Sequence, residues 1–487
     1  MTKILSILPL VMLAGCTVGP NYAGPPAAAS EAVARGSFVR AADSAFTQAP
    51  GLARWWESLN DPTLTALIDN ALAHSPNIDV ATARIREAQA QLRGQRAAEL
   101  PGVSANASYL HAQLPGLNIG TADNGSSGGS TGGTNDASFD FYNLGGTASW
   151  EPDLTGGGRR GIERARAQVG QSFAALADAQ VSLTAQLAQA YVNLRDAQAR
   201  IALNRQSTEL QTRALALTRQ RYAAGTASAL DVERLQTQLD NTVAQTIPLA
   251  AQFDEYRNQI AVLAGREPGA LDQTFSTVAS VPLPPAQIPI GDPAALIEHR
   301  PDVRRAERTL AANTAAIGVQ RAKMFPSVRF MGIFGLGGPH IGDVVDPSMF
   351  SALLAPQINW SFLDFGRNRA NLDNAKAQRD QATAQYREAV LEALQDAETS
   401  LSRFGRARQQ FAQLLSAEAS AARSARLNGQ RVAAGTSSTI DQLDIERQRL
   451  AASMAAEQAR AQVTNSYIAV QKSLGLGWTD PAAMASR

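Results

Sequence analysis

Cys16 is the only cysteine of the chain, so disulfides within it and thiolate zinc sites are excluded by counting. A lone thiol at that position can accept a covalent group. Met1 to Gly15 has the form of a secretory signal: Lys3 gives the positive start, Ile4 to Leu13 the apolar stretch, and small residues precede the cysteine. The four histidines, His74, His111, His299 and His340, have no spacing that builds a metal site on one element. Gly156-Gly157-Gly158 and the run Gly335 to Gly338 lack the Lys-Ser/Thr ending of a phosphate loop. They are expected to be strand-to-helix corners and loop glycine. No nucleophile, base and orienting group announce themselves, so the expectation is a protein without enzymatic activity, metal or small-molecule cofactor.

The second pattern with chemical content is acidic. Arg221-Tyr-Ala-Ala-Gly225-Thr226 is followed by Asp231, and Arg431-Val-Ala-Ala-Gly435-Thr436 by Asp441 and Asp444. Glycine at these positions suits the left-handed residue that ends a helix and lets the chain reverse. Both turns are expected at the same end of a rod. In a tube of identical subunits these carboxylates would repeat as rings, which favour cations and resist anions. The alternative for any single aspartate is a solvated face or the favourable first turn of the following helix, and for Asp231 alone the two readings weigh equally.

The elements that carry these turns come in two copies. Trp150 and Trp360, Gly225 and Gly435, and Asp231 and Asp441 are each 210 residues apart, while Pro76 to Pro101 matches Pro301 to Pro326 at an offset of 225. The difference is an insertion of fifteen residues in the first copy, on the Gly/Ser/Thr/Asn tract Gly120 to Asn135, which is expected to be an exposed loop. The resulting division is a signal at 1–15, an N-terminal segment at 16–74, repeats at 75–290 and 291–475, and a tail at 476–487.

Helical periodicity dominates both copies. Phe173, Leu176, Gln180, Leu183, Leu187, Ala190, Leu194, Ala197 and Ile201 alternate gaps of three and four, the seam of a coiled coil, and Val232 to Leu263 continues likewise. With no proline between Gly161 and Ala224, one helix of about 60 residues, roughly 90 Å at about 1.5 Å per residue, is expected. Pro248 is expected to kink the return helix or to mark a boundary in it. Four segments lack helical pattern: 102–114, 139–150, 327–336 and 355–362. The first alternates Val103, Ala105, Ala107 and Tyr109 with Ser104, Asn106 and Ser108, a strand with one polar and one apolar face.

No run of about 20 apolar residues follows Cys16, so any membrane crossing must use strands. Four strands cannot close around a lumen, and open edges are not tolerated in lipid, so the subunit must pool strands with its own copies. The alternative is a soluble hairpin pair capping a helical bundle. Lys and Arg number 44 against 43 Asp and Glu, which removes any bulk electrostatic case for nucleic acid.

Leu13-Ala14-Gly15-Cys16 resembles a bacterial lipobox, which implies an acylated cysteine, N-palmitoyl and S-diacylglycerol, as the mature N-terminus. An ordinary signal peptide with an incidental cysteine is the alternative. Together with Thr17-Val18-Gly19-Pro20-Asn21-Tyr22, the tandem halves, the two Gly-Thr turns, and Trp55-Trp56 ahead of Asp61-Pro62, the chain resembles the TolC-like outer-membrane factors, NodT-type lipoprotein branch. The resemblance implies a mainly α fold with membrane strands. By the same resemblance, four strands per subunit would form a twelve-stranded trimeric β-barrel above a long α-helical periplasmic barrel. It also implies a lipid-anchored place in the outer membrane and the role of exit duct in a tripartite efflux system. The partners would be two further copies, a periplasmic adaptor (membrane fusion) protein, an inner-membrane pump of the resistance-nodulation-division type, and outer-membrane lipid.

Residue by residue, Asp441 and Asp444 match acidic positions of that family's periplasmic gate, Ile440 an apolar gate position, and Asp231 an acidic partner in the first half. Gly225-Thr226 and Gly435-Thr436 match the tips that the adaptor touches. Val432 and Ser437 depart from the Tyr and Arg that bond the gate shut in some members. A non-conducting coiled-coil lipoprotein of the periplasm is the rival reading; the adaptor itself would carry one hairpin, and here the hairpin is duplicated.

Overall fold

The computed structural model describes residues 17–41, 43–114 and 137–478. The expected signal, Cys16, the tract Gly120 to Asn135 and the tail beyond 478 lie outside the described residues. In chain order the elements are α1 (Ser30–Arg35), β1 (Phe46–Thr47), α2 (Pro62–His74), α3 (Pro76–Ala97), β2 (Gly102–Leu114), β3 (Ala137–Trp150), α4 (Gly157–Ala223) and α5 (Ala229–Leu263). There follow β4 (Ile288–Pro289), α6 (Pro293–His299), α7 (Pro301–Ala322), β5 (Ser327–Gly338), β6 (Phe350–Asn359), α8 (Arg367–Ala433) and α9 (Thr439–Ser473).

The duplication is exact in the lengths of its three long helix pairs. α3 and α7 each have 22 residues, α4 and α8 each 67, and α5 and α9 each 35. The chain nevertheless packs as two units that cut across the repeats. Of the described residues, one holds those from Thr17 to Gly24, Ala88–Val169 and Thr309–Ala382; the other holds those of Pro25–Glu87, Gly170–Arg308 and Thr383 to Trp478.

The first unit contains a four-stranded antiparallel sheet in the order β2-β3-β5-β6, so each repeat supplies one hairpin and the two hairpins meet through β3 and β5. Two expectations need correction. The fourth strand is 350–359 rather than 355–362, because Phe350 pairs with Leu336 and sets the register, while the alternation after Pro356 is blurred. Gly335, Gly337 and Gly338 lie in β5, not in a loop, opposite Gly145, Asn143 and Tyr142. Local composition marks glycine as a breaker, but strand pairing here needs the small residue.

The second unit is built around one apolar core. The expected seam is present in its middle, with Leu183, Leu187, Ala190, Leu194 and Ala197 all buried, but Phe173 is exposed and Ala174 and Ala177 are buried in its place. From Val181 to Gln198 α4 is buried on most sides, since the N-terminal segment also packs in this core. Trp55 and Trp56 are each 1 % exposed, and at about 25 cal/mol per Å² over about 150–250 Å² each contributes at most about 4–6 kcal/mol of transfer free energy. Asp61 caps α2 through the amides of Thr63 and Leu64 and also accepts the Tyr191 hydroxyl at 2.6 Å. Val39 and Arg40 donate their amides to the two carboxylate oxygens of Glu398, each at 2.8 Å.

Of the two expectations at Pro248, a kink or a boundary, the boundary is excluded, because α5 runs unbroken from Ala229 to Leu263. The carbonyl that Pro248 leaves without a helical donor belongs to Ala244, an exposed residue, where water can replace the missing bond.

Candidate functional site: the two-faced sheet and the hairpin tips

The pairing register sorts the strand residues into two faces. One face carries Val103, Ala105, Ala107 and Tyr109 of β2, with Leu144 and Trp150 of β3 beside them. Through the pairs Trp150–Phe330, Ala148–Gly332 and Leu144–Leu336 it continues across β5, and through Phe334–Ala352 and Gly332–Leu354 across β6. It is almost wholly apolar and it is not covered: Leu354 is 70 % and Ile358 76 % exposed. The opposite face of β2 and β3 carries Ser104, Asn106, Ser108, Asn143, Thr147 and Ser149, with Ser104 and Thr147 hydroxyls 2.8 Å apart across the pair. In the second copy that face is mixed, Arg329 and Gln357 alternating with Met331 and Ala355.

Aromatic pairs bound the apolar face. Tyr109 stacks on Tyr142 at 4.8 Å between centroids, and Trp150 on Phe330 at 6.0 Å. Tyr142 to Trp150 is eight residues, about 27 Å along a strand at about 3.4 Å per residue. At a tilt of about 40° this projects to about 21 Å, close to the apolar band of about 25 Å that outer-membrane strands present. The two tryptophans of the repeat act alike: Trp150 Nε1 donates to the Glu99 carbonyl at 2.9 Å, and Trp360 Nε1 to the Met324 carbonyl at 3.2 Å. Their amphipathic rings suit a membrane–water boundary.

The second unit holds the two hairpin tips, and their repeated sequence has a physical cause. Gly225 has φ +70° and Gly435 φ +72°. The Thr226 amide donates to the Arg221 carbonyl at 2.8 Å and the Gly225 amide to Tyr222 at 2.9 Å; Thr436 and Gly435 repeat the pair on Arg431 and Val432. This double closure, with glycine in the left-handed position, is a Schellman cap. Each threonine hydroxyl adds a bond to the same arginine carbonyl at 3.1 Å. The next helix then starts on a capping box: Ser228 with Asp231 in α5, and Ser438 with Asp441 in α9.

Asp231 and Asp441 therefore have equivalent structural tasks, and both are exposed. The Ser228 hydroxyl and amide hold the Asp231 carboxyl below the usual carboxylate range. Asp444 is paired with Arg447 at 2.8 Å and accepts from Gln448 at 2.8 Å, whereas Asp441 has no cation at ion-pair distance among the described residues. Ile440 is half-buried beside them. The tips bring together Gly225, Thr226 and Asp231 in one copy, and Gly435, Thr436, Ile440, Asp441 and Asp444 in the other.

One feature of the second tip is absent from the sequence expectations. Ser437 Oγ donates to Asn428 Oδ1 at 2.9 Å, Asn428 Nδ2 donates to Gln442 Oε1 at 2.8 Å, and Gln442 Nε2 reaches the Ala425 carbonyl at 3.1 Å. The positions 210 earlier are Ala227, Thr218 and Val232, which cannot form it, and the buried Thr218 hydroxyl has no partner among the described residues. Comparison of the two copies position by position would have signalled it. No cluster of three or more His, Cys, Asp or Glu able to hold a metal occurs among the described residues.

A sheet with one lipid-compatible face and, among the described residues, two open edges, in a chain that also carries duplicated helical hairpins, fits a channel subunit of an outer membrane. The family model for "Outer membrane efflux protein" matches residues 67–266 and 293–476, one block per repeat. Nodulation protein T of Rhizobium leguminosarum bv. trifolii is 27% identical over 476 residues, covering 98% of this chain and 97% of its own. The antibiotic efflux pump outer membrane protein ArpC of Pseudomonas putida is 29% identical over 494 residues, covering 100% and 98%. The outer-membrane channel OprN superposes with a TM-score of 0.84 at 32% identity, over 95% of this chain and 100% of that one. The chain belongs to the outer membrane efflux protein family, and its function is that of an outer-membrane exit channel of an efflux system.

Proposed function

We propose that three copies join edge to edge, β6 of one to β2 of the next, and close a twelve-stranded barrel that passes small molecules out of the cell. The observation that carries this is the four-stranded sheet whose outer strands have no further partner among the described residues and whose apolar face is bare. Antiparallel alternation is kept at each new seam, and twelve is an even number, as closure of an up-and-down barrel requires. The polar residues of β2 and β3 then line the lumen.

In this reading the helices of the three copies extend into the periplasm, and the hairpin tips form its narrow mouth. Asp231, Asp441 and Asp444 line the mouth, Ile440 plugs it, and Gly225-Thr226 and Gly435-Thr436 receive a periplasmic adaptor that couples the duct to an inner-membrane pump of the resistance-nodulation-division type. With Val432 and Ser437 at the lock positions, apolar plugging and carboxylate repulsion replace a tyrosine–arginine lock. Because Arg447 offsets Asp444, Asp441 carries the larger share of the field. Cys16 carries the N-palmitoyl and S-diacylglycerol groups that tether the mature chain to outer-membrane lipid.

Planar-bilayer recording tests the duct and its mouth. The purified trimer is expected to conduct with cation preference, and Asp441→Ala with Asp444→Ala to lower that preference. Unchanged conductance and selectivity in the double variant would sink the acidic mouth, and a wild type that neither conducts nor shows heat-modifiable migration would favour the non-conducting spacer.

A further inference from the structure

The segment that follows Cys16 is held in the unit that contains the sheet. The Val18 amide donates to the Thr155 carbonyl at 3.1 Å. Arg160, only 4 % exposed in the first turn of α4, donates to the Val18 carbonyl at 3.3 Å, the Gly19 carbonyl at 3.3 Å and Asn21 Oδ1 at 2.6 Å, and its remaining nitrogen reaches Glu163 at 2.6 Å. A buried guanidinium must satisfy its whole fork of donors, and here three of four acceptors come from the segment. Gly19 has φ +100°, and a Cβ there would lie 2.5 Å from the Gly318 Cα. A Cβ on Gly318 would in turn lie 2.6 Å from Arg160 Cγ and 3.0 Å from the Val18 carbonyl oxygen. Tyr22 packs on Ala167, Ala311 and Ala312.

Thr155, Arg160 and Ala167 belong to the first repeat, whereas Gly318, Ala311 and Ala312 belong to α7 of the second. Thr155 follows Trp150 by five residues, so the contact is made at the foot of the sheet. We propose that Thr17–Tyr22 is a clasp and Arg160 its receptor: the clasp fastens the N-terminal end of the mature chain beside the lipid-facing sheet and ties the two repeats together there. Arg160 is thus a positioning residue for the membrane attachment point. The proposal draws on the lipid-anchor reading for one consequence only, that the clasp sets where the acyl chains leave the protein; the fastening itself needs no lipid.

Hydrogen exchange read by mass spectrometry on the detergent-solubilised, full-length trimer tests it. Asn21→Ala and Gly19→Ala leave Arg160 and both repeats intact, so they avoid the folding risk of Arg160→Gln. The wild type is expected to protect the Val18 amide, and each variant to lose roughly tenfold or more of that protection, the scale of a bond to a charged group. Exchange in the second-unit core should be unchanged, and the assembled trimer recovered from the outer membrane should fall severalfold. Fast exchange at Val18 in the wild type, or unaltered protection in both variants, would overturn the clasp. Loss of protection with undiminished trimer would overturn its tying role. Cys16→Ser exported by another signal separates the two readings: retained protection supports a clasp that acts without lipid, and lost protection would show that the lipid alone holds the segment. A mature N-terminus of unacylated mass would refute the anchor and leave the clasp standing.

Discussion

Asn428→Ala isolates the difference between the two hairpins. The side chain is 6 % exposed and takes part in two neutral hydrogen bonds, one from Ser437 and one to Gln442. At about 1 kcal/mol each, their loss removes about 2 kcal/mol from the closed second tip, with Gln442 keeping its bond to the Ala425 carbonyl. Since about 1.4 kcal/mol is tenfold in an equilibrium, local opening should become about 30-fold more frequent. The matching variant in the first copy, Thr218→Ala, removes a buried hydroxyl without a partner among the described residues and should change opening less than about threefold. Amide exchange of peptides spanning 425–443 and 215–233, measured on the trimer, reads both. If the gate moves by loosening this tip, Asn428→Ala also raises spontaneous conductance in bilayers. Equal acceleration in both hairpins, or none in the second, would refute the idea that the Asn428–Ser437–Gln442 contacts stiffen one tip selectively.

Two further outcomes follow from the chemistry. Burial holds the Asp196 and Glu457 carboxyls above their usual range, and the Asp196 charge adds to the shift of Glu457. An acid whose folded value is raised supports the fold when protonated, and that support is lost as pH rises through the folded value. Asp196→Asn should therefore raise the melting temperature at neutral pH and flatten its rise on acidification towards the ordinary carboxylate range of about 4. A lower melting temperature at neutral pH with an unchanged slope would count against the burial argument, since Asp196 also holds Arg200 at 3.4 Å. For the anchor, Cys16→Ser behind an alternative secretion signal should still yield some conducting trimer, because the barrel itself holds the bilayer; complete loss of assembled trimer would show the lipid to be essential.

What could be read from the residues was what depends on neighbours along the chain. The Arg-x-Ala-Ala-Gly-Thr turns announced both Schellman caps because a left-handed glycine and its two closing amides lie within six residues. The strand at 102–114 showed its two faces because side chains alternate whatever the partner. The seam of α5 was visible for the same reason, period without partner.

Where periodicity named a face, it did not name what covers it. Phe173 looked like a seam residue and is exposed, while α4 is buried nearly all round where the segment containing Trp55 and Trp56 joins its core. The start of β6 was displaced because Leu336 decides it from the neighbouring strand.

The sequence by itself determined the duplication, the helix ends, the acidic helix starts and the two-faced strands, since each is set by local sterics, capping or period. Only the tertiary structure decided that β3 pairs with β5 across the repeats, that Asp444 is neutralised by Arg447 while Asp441 is not, and that Arg160 grips the segment beginning at Thr17. Pairing, shared charge and close approach depend on which distant residues meet, and the long-range packing that brings them together leaves no periodic mark in the chain.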